Sequence, residues 1–199
     1  MAEETATEFI LTAAELLFSE KGYAGTTTKA VAQEARVSEV TIFRHFQNKA
    51  GLLKALIDSR PGLGEGLRLK ELVVHGDVRA TLVAVAAREL RLAAATRGLW
   101  FRLAMEARVY PEVAELVDGV LAGRVNKLAR YLRRRKAEGL VRRNLNADLM
   151  AESFYVIVAS FVPMRLYARV RSVPQIHDAA ALASSLVDVI WAGIAPPSA

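Results

Sequence analysis

The stretch TTTKAVAQEARVSEVTIFRHF, residues 26–46, carries two helix signatures back to back. Thr26, Thr27 and Thr28 offer hydroxyl caps to a helix running to about Ala35, with Val31, Ala32 and Ala35 inward. Arg36-Val37-Ser38 break the pattern. A second helix follows from Glu39 to about Phe46, with Ile42 and Phe46 four apart on its inner face. Two short helices joined by a three-residue turn form the helix-turn-helix pattern.

Upstream, a first helix opens at Thr5-Ala6-Thr7-Glu8, where Thr5 caps and Glu8 reaches back. It buries Ile10, Ala13, Ala14, Leu17 and Phe18 and stops at Gly22. Downstream, Asn48 caps a fourth helix through Leu52, Leu53, Leu56 and Ile57, which must end before Pro61. Pro61 to Gly76 holds four glycines and marks a joint. Five longer helices follow: Asp77 to Ala95; Gly98 to Tyr110, stopped by Pro111; Glu112 to Glu138; Asp148 to about Leu166, kinked at Pro163; and His177 to Ala192. The expected fold is all-α. A three-helix helix-turn-helix domain occupies residues 1–50, a connecting helix and Gly-rich joint 51–76, and a larger helical domain 77–199.

The 199 residues are 53% hydrophobic and 24% charged, with 27 Lys and Arg against 21 Asp and Glu. A chain of this length buries about two thirds of its unfolded surface and needs no staple. The absence of Cys excludes disulfides, thiolate zinc sites and Cys nucleophiles. His45, His75 and His177 are isolated, and no His-Glu-x-x-His, phosphate loop or dinucleotide fingerprint occurs, so no catalytic site, metal or cofactor is expected. The most membrane-like run, Ser153 to Met164, is twelve residues, short of the roughly twenty a spanning helix needs. The opening Met1-Ala2-Glu3-Glu4 is acidic where a secretory signal is basic. A cytoplasmic protein with no membrane partner is expected, and the basic surplus points to an acidic partner such as nucleic acid.

Taken in order and without gaps, Phe9-Ile10-Leu11, Phe18-Ser19-Glu20-Lys21-Gly22-Tyr23, Thr26-Thr27-Thr28, Val31-Ala32, Ala35, Val37-Ser38, Thr41-Ile42-Phe43, His45-Phe46, Asn48-Lys49 and Leu52-Leu53 closely resemble the DNA-binding domain of TetR-family transcriptional regulators. The resemblance implies an all-helical homodimer that binds palindromic operators in double-stranded DNA and represses until a small-molecule effector fills its C-terminal domain. Within the resemblance, Phe43 and His45 match positions that touch the DNA backbone or sugar, and Lys49 matches a phosphate-binding lysine. The residues also read physically. Thr27 and Thr28 stand at a helix N-terminus, where free amides and the dipole meet a phosphate, and Lys29 follows on the first turn. Ser38, Glu39, Val40, Thr41 and Arg44 occupy the turns that a recognition helix presents to the major groove. Val40 and Thr41 can also meet a thymine methyl. A Thr triplet ahead of a helix is equally a plain cap, Ser38 equally caps the recognition helix, and His45 alone is equally a surface histidine.

Three positions depart from the family pattern. Arg36 stands where a turn glycine is common, at a cost of about 1–2 kcal/mol if the backbone is left-handed. Val40 replaces a glycine inside the recognition helix, and Phe43 a tyrosine, losing a hydroxyl donor.

Leu99 to Glu112 looks like the corresponding part of AefR-like members linked to efflux control. Trp100, Phe101, Met105, Tyr110, Phe154, Tyr155, Phe161 and Met164 are the bulky residues that could line a cavity for an apolar or amphipathic effector, with ordinary core as the alternative for each. Arg102 or Arg108 would receive an anionic one. Ala183, Val187, Ile190 and Trp191, with Phe154, Val158 and Phe161 on the preceding helix, repeat at helical spacing. On family grounds they form the homodimer seam, although packing within one domain gives the same periodicity. Arg133-Arg134-Arg135-Lys136 falls in the last turns of a long helix, where cations complement the dipole, and reads as a solvated face.

Charge is unevenly placed. Residues 1–50 carry five basic side chains against seven acidic, whereas residues 88–143 carry fourteen against six. The global surplus is therefore not the DNA signal, which rests on the placement of a few residues. A helical ligand carrier without DNA binding is the rival reading, with Arg36 and Val40 as its signs.

Overall fold

The computed structural model describes residues 2–60, 62–64, 69–96, 98–168 and 178–196, without the side chains of 2–5 and 162–168. Among the described residues there are helices and no strands. Helix α1 (Ala2–Gly25) is broken at Gly22, whose φ of 75° and ψ of −179° suit glycine almost exclusively. It begins ahead of the expected Thr5 cap, so Thr5 lies within the helix and its side chain is outside the described set. Helix α2 (Thr28–Glu34) starts from Thr27 as N-cap, and α3 (Glu39–Phe46) from Ser38. Between them Arg36 has a φ of 56°, the left-handed conformation for which a glycine pays no steric penalty. Helix α4 (Lys49–Ser59) is capped by Asn48, whose Oδ1 accepts from Gly51 N at 2.8 Å. Ile10, Phe18, Val31, Ile42, Leu52 and Leu56 are fully buried where these four helices meet, each worth about 1.5–3 kcal/mol of transfer free energy.

Six further helices follow: α5 (Leu69–Leu72), α6 (Val78–Ala95), α7 (Leu99–Glu106), α8 (Pro111–Ala137), α9 (Ala147–Ala168) and α10 (Ala179–Ile194). The short α5 lies inside the stretch read as a joint. Pro111 opens α8, because its missing N–H is one that a first helical turn leaves unpaired anyway. Helix α9 continues past Pro163, and α10 is capped by Asp178, while His177 lies outside the described residues.

The helices group into two compact units. One compact unit joins Met1–Glu65 to Thr96–Val120; the other joins Gly66–Ala95 to Leu121–Ala199. The reason lies in α7 and the first turns of α8, which are pinned to α1. Glu106 accepts from the amides of Tyr23 (2.7 Å) and Ala24 (3.0 Å), Tyr23 Oη donates to Glu112 (2.9 Å), and Arg102 donates to the Glu20 carbonyl (3.0 Å). In the second unit α6, α9 and α10 enclose a core with the later turns of α8. Phe154, Val158, Ala183, Val187 and Ile190 lie in that core, none more than 7% exposed, and Phe161 and Trp191 pack against it. Of the two readings open for the apolar repeats on these helices, packing within their own domain accounts for these faces.

Arg36→Gly relieves about 1–2 kcal/mol of left-handed strain against about 0.5–1 kcal/mol of added unfolded-chain entropy. A raised urea midpoint is the expected result, and a lowered one would mean that the Arg36 side chain contributes more than its backbone costs.

Candidate DNA-binding site

The three consecutive threonines do three different things. Thr26 is buried and its hydroxyl donates to the Gly22 carbonyl at 2.7 Å. Thr27 caps α2 by accepting from Ala30 N at 3.1 Å. Thr28 donates to Glu39 Oε1 at 2.7 Å, tying the start of α2 to the start of the recognition helix. Glu39 is thus a brace for α3, a role its place in the sequence did not disclose, and Thr28 already spends its proton within the protein.

Ser38 accepts from Thr41 N at 3.1 Å, and its Oγ lies 2.8 Å from Thr41 Oγ1. Ile42 and Phe46 face inward as expected, while Val40 is 75% and Phe43 47% exposed on the outer face. Apolar groups left this open on a small helix are ready to meet thymine methyls or sugar. Arg44 Nη2 donates to His45 Nε2 at 3.3 Å, and His45 Nδ1 faces Thr7 Oγ1 at 3.4 Å. A donated proton at Nε2 requires the other ring nitrogen to carry the hydrogen, so His45 anchors α3 to α1 as well as flanking Arg44. Lys29 is exposed beside the Thr27 cap. The face that α2 and α3 present is therefore Thr27, Lys29, Val40, Thr41, Phe43 and Arg44.

Lys49 stands apart from that face. Its ammonium donates to the Tyr23 carbonyl at 2.9 Å and sits 4.1 Å over the Tyr23 ring. Burial lowers its pKa, with the charges of Glu106 and Glu112 opposing the shift. Gly51, two residues on, has no substitute: a Cβ there would stand close against the Phe46 carbonyl oxygen. Nothing in the spacing of residues signalled that close approach.

The residues expected at an effector cavity are not gathered in one unit. Trp100, Phe101, Met105 and Tyr110 belong to the first, with Met105 exposed and Tyr110 edge-on to Tyr23. Phe154 and Tyr155 are buried in the second, and the Met164 side chain lies outside the described residues. Arg102 is engaged with Glu20, and Arg108 is exposed. What the sequence reading missed is a buried polar cluster in the second unit. Glu89 pairs with Arg124 and with Arg88, each at 2.8 Å. The nearby Tyr155 hydroxyl is buried with no hydrogen-bond partner among the described residues. Burial, with the Glu89 charge adding to it, holds the phenol far above its usual pKa, so it remains a neutral donor. Val85, Ala86, Glu89 and Leu90 share one apolar face of α6, and a carboxylate inside that pattern was the available signal.

The family described as bacterial regulatory proteins, tetR family, matches residues 10–56. Over 171 residues the chain is 33% identical to YvkB of Bacillus subtilis (strain 168), described as an uncharacterized HTH-type transcriptional regulator, covering 83% of this chain and 87% of that one. It is 33% identical over 112 residues to the HTH-type transcriptional repressor Rv3405c of Mycobacterium tuberculosis, 56% of each chain. Its fold is similar to that of the transcriptional regulator FadR from Bacillus subtilis, solved in complex with stearoyl-CoA, with a TM-score of 0.77 and 21% identity over 94% of this chain and 98% of that one.

Because Lys29 is exposed on the outer face and Lys49 is held inward, the two should separate in a salt titration of DNA binding. Lys29→Ala should flatten the slope of log affinity against log salt by about 0.9, one phosphate's worth. Lys49→Ala should leave the slope near the wild-type value; a loss of about 0.9 there would return Lys49 to the phosphate-binding set.

Proposed function

The chain belongs to the TetR family of bacterial transcriptional regulators, and from that premise we propose that it is a cytoplasmic, ligand-responsive repressor that binds a palindromic operator as a homodimer. Its relatives are regulators rather than enzymes. The observation that carries the DNA-binding part is the braced recognition helix. Glu39 and His45 tie α3 to α2 and α1, Ser38 caps its start, and Val40, Thr41, Phe43 and Arg44 are left outward. Such bracing argues against the rival reading of a ligand carrier with a decayed reader, for which nothing would need to hold α3 in place.

A second copy of the chain suits the outer faces of α9 and α10, opposite the seam the sequence favoured. Leu149 and Val156 on α9 and Val189 on α10 are more than half exposed, and Ala181, Ser185 and Gly193 beside Val189 are small enough for close helix approach. Two-fold symmetry then sets two recognition helices about one DNA turn, roughly 10 base pairs, apart.

Ligand response is supported by two features. The unsatisfied Tyr155 hydroxyl beside the Glu89–Arg124 pair offers a donor to an oxygen of an incoming effector. The similar fold of the regulator solved with stearoyl-CoA supports an amphipathic, anionic effector class.

Selection of bound DNA from a random pool tests the reading, with an inverted repeat of half-sites about 10 base pairs apart expected. Recovery of no preferred sequence would favour the carrier. In parallel, Val189→Asp should convert a dimer to a monomer in sedimentation equilibrium and weaken operator binding. A wild-type monomer, or a variant that remains dimeric, would place the interface elsewhere.

A further inference from the structure

Several arginines of the second unit are ion-paired within it. Arg79 meets Asp188, Arg133 meets Asp148, and Arg134 and Arg135 share Glu138. Three other cations are treated differently. Lys127 and Arg130 on α8 and Lys70 on α5 have no ion-pair or hydrogen-bond partner among the described residues, and all three line one groove of about 710 Å³. Glu71 is the one acid in that lining. Leu69, Val73 and Tyr131 give the groove an apolar and aromatic floor. Over the Tyr131 ring, at 5.2 Å, lies the Arg135 guanidinium, whose Nε is buried without a hydrogen-bond partner among the described residues.

We propose that this groove binds a phosphate ester carrying an apolar or aromatic group. Unpaired cations held in one concavity repel one another and focus a positive potential that an anion relieves. Ammonium and guanidinium donors suit phosphate oxygens. The volume falls within the roughly 300–1,000 Å³ of small-molecule sites. A bare anion would leave Tyr131, Leu69 and Val73 half-solvated, whereas an ester would cover them, and that difference selects the class. The spacing of Lys127, Arg130, Tyr131, Arg134 and Arg135 places them on one side of α8. What reads from sequence alone as a solvated basic face therefore has a pocketed inner edge.

The proposal deepens the ligand-responsive reading and takes its regulatory meaning from it. Binding is therefore measured on DNA-free protein, and the operator shift of the wild-type chain is measured separately, so that either can fail alone. Calorimetric titration of the full chain at low salt would use phenyl phosphate, inorganic phosphate and phenol. Phenyl phosphate should bind about tenfold or more tightly than either of the others. The Lys127→Glu, Arg130→Glu double variant should lose about tenfold or more of that affinity. Arg130→Gln should lose less, and melting curves of both variants check that the fold persists. Equal binding of inorganic phosphate would reduce the groove to a counterion site and overturn the proposal. So would unchanged affinity in both variants, or displacement of the ester by random-sequence duplex that the double variant no longer binds, which would make the surface a nucleic-acid contact.

Discussion

The Glu106 carboxylate accepts hydrogen bonds from the two amides just beyond the Gly22 break in α1, and the first unit depends on that contact. A broken helix leaves backbone groups that must find partners elsewhere. Here α7, α4 and the Thr26 hydroxyl supply them. Glu106 of α7 takes the amides of Tyr23 and Ala24; Thr26 donates to the Gly22 carbonyl, Arg102 to the Glu20 carbonyl, and Lys49 to the Tyr23 carbonyl. Charge-assisted bonds of this kind contribute about 1.5–3 kcal/mol each where they are buried. Glycine is required on two counts, because any Cβ at position 22 would meet Glu106 Oε1 at 2.5 Å in a backbone region that side chains avoid.

That arrangement explains why the reading helices and α7 form one unit although more than forty residues separate them in sequence. The polar side chains of the helix-turn-helix are used in a similar way. Most of them are committed to holding the geometry: Thr26 to the break, Thr28 to Glu39, Ser38 to Thr41, His45 to Thr7. On the proposed reading the chemistry left for DNA falls to a smaller exposed group, with Arg44 and Lys29 as its cations and Val40 and Phe43 as its apolar side chains.

The sequence made the helix-turn-helix legible because its signals are local. Caps at Thr27, Ser38 and Asn48, and apolar spacing at Val31, Ile42 and Leu52, are fixed by neighbours within one or two turns. The left-handed Arg36 was signalled only through the resemblance, as the position where the family commonly carries a turn glycine. Lys49 was not legible, because its orientation depends on Tyr23, a partner 26 positions away. Nor was the buried ion pair, since Glu89 and Arg124 meet only after α6 and α8 have packed. The repeats on α9 and α10 left two readings open because an apolar repeat shows that a face is covered without showing what covers it.

Glu106 closes the break in α1 and so makes α7 part of the DNA-reading unit. Amide hydrogen exchange at Tyr23 and Ala24, compared between the wild-type chain and Glu106→Ala, tests it most directly. Both amides should exchange slowly in the wild type and accelerate together by about tenfold or more in the variant, while Ile42 and Leu53 amides keep their rates. Wild-type exchange at the rate of an open chain, or protection unchanged by the substitution, would contradict it.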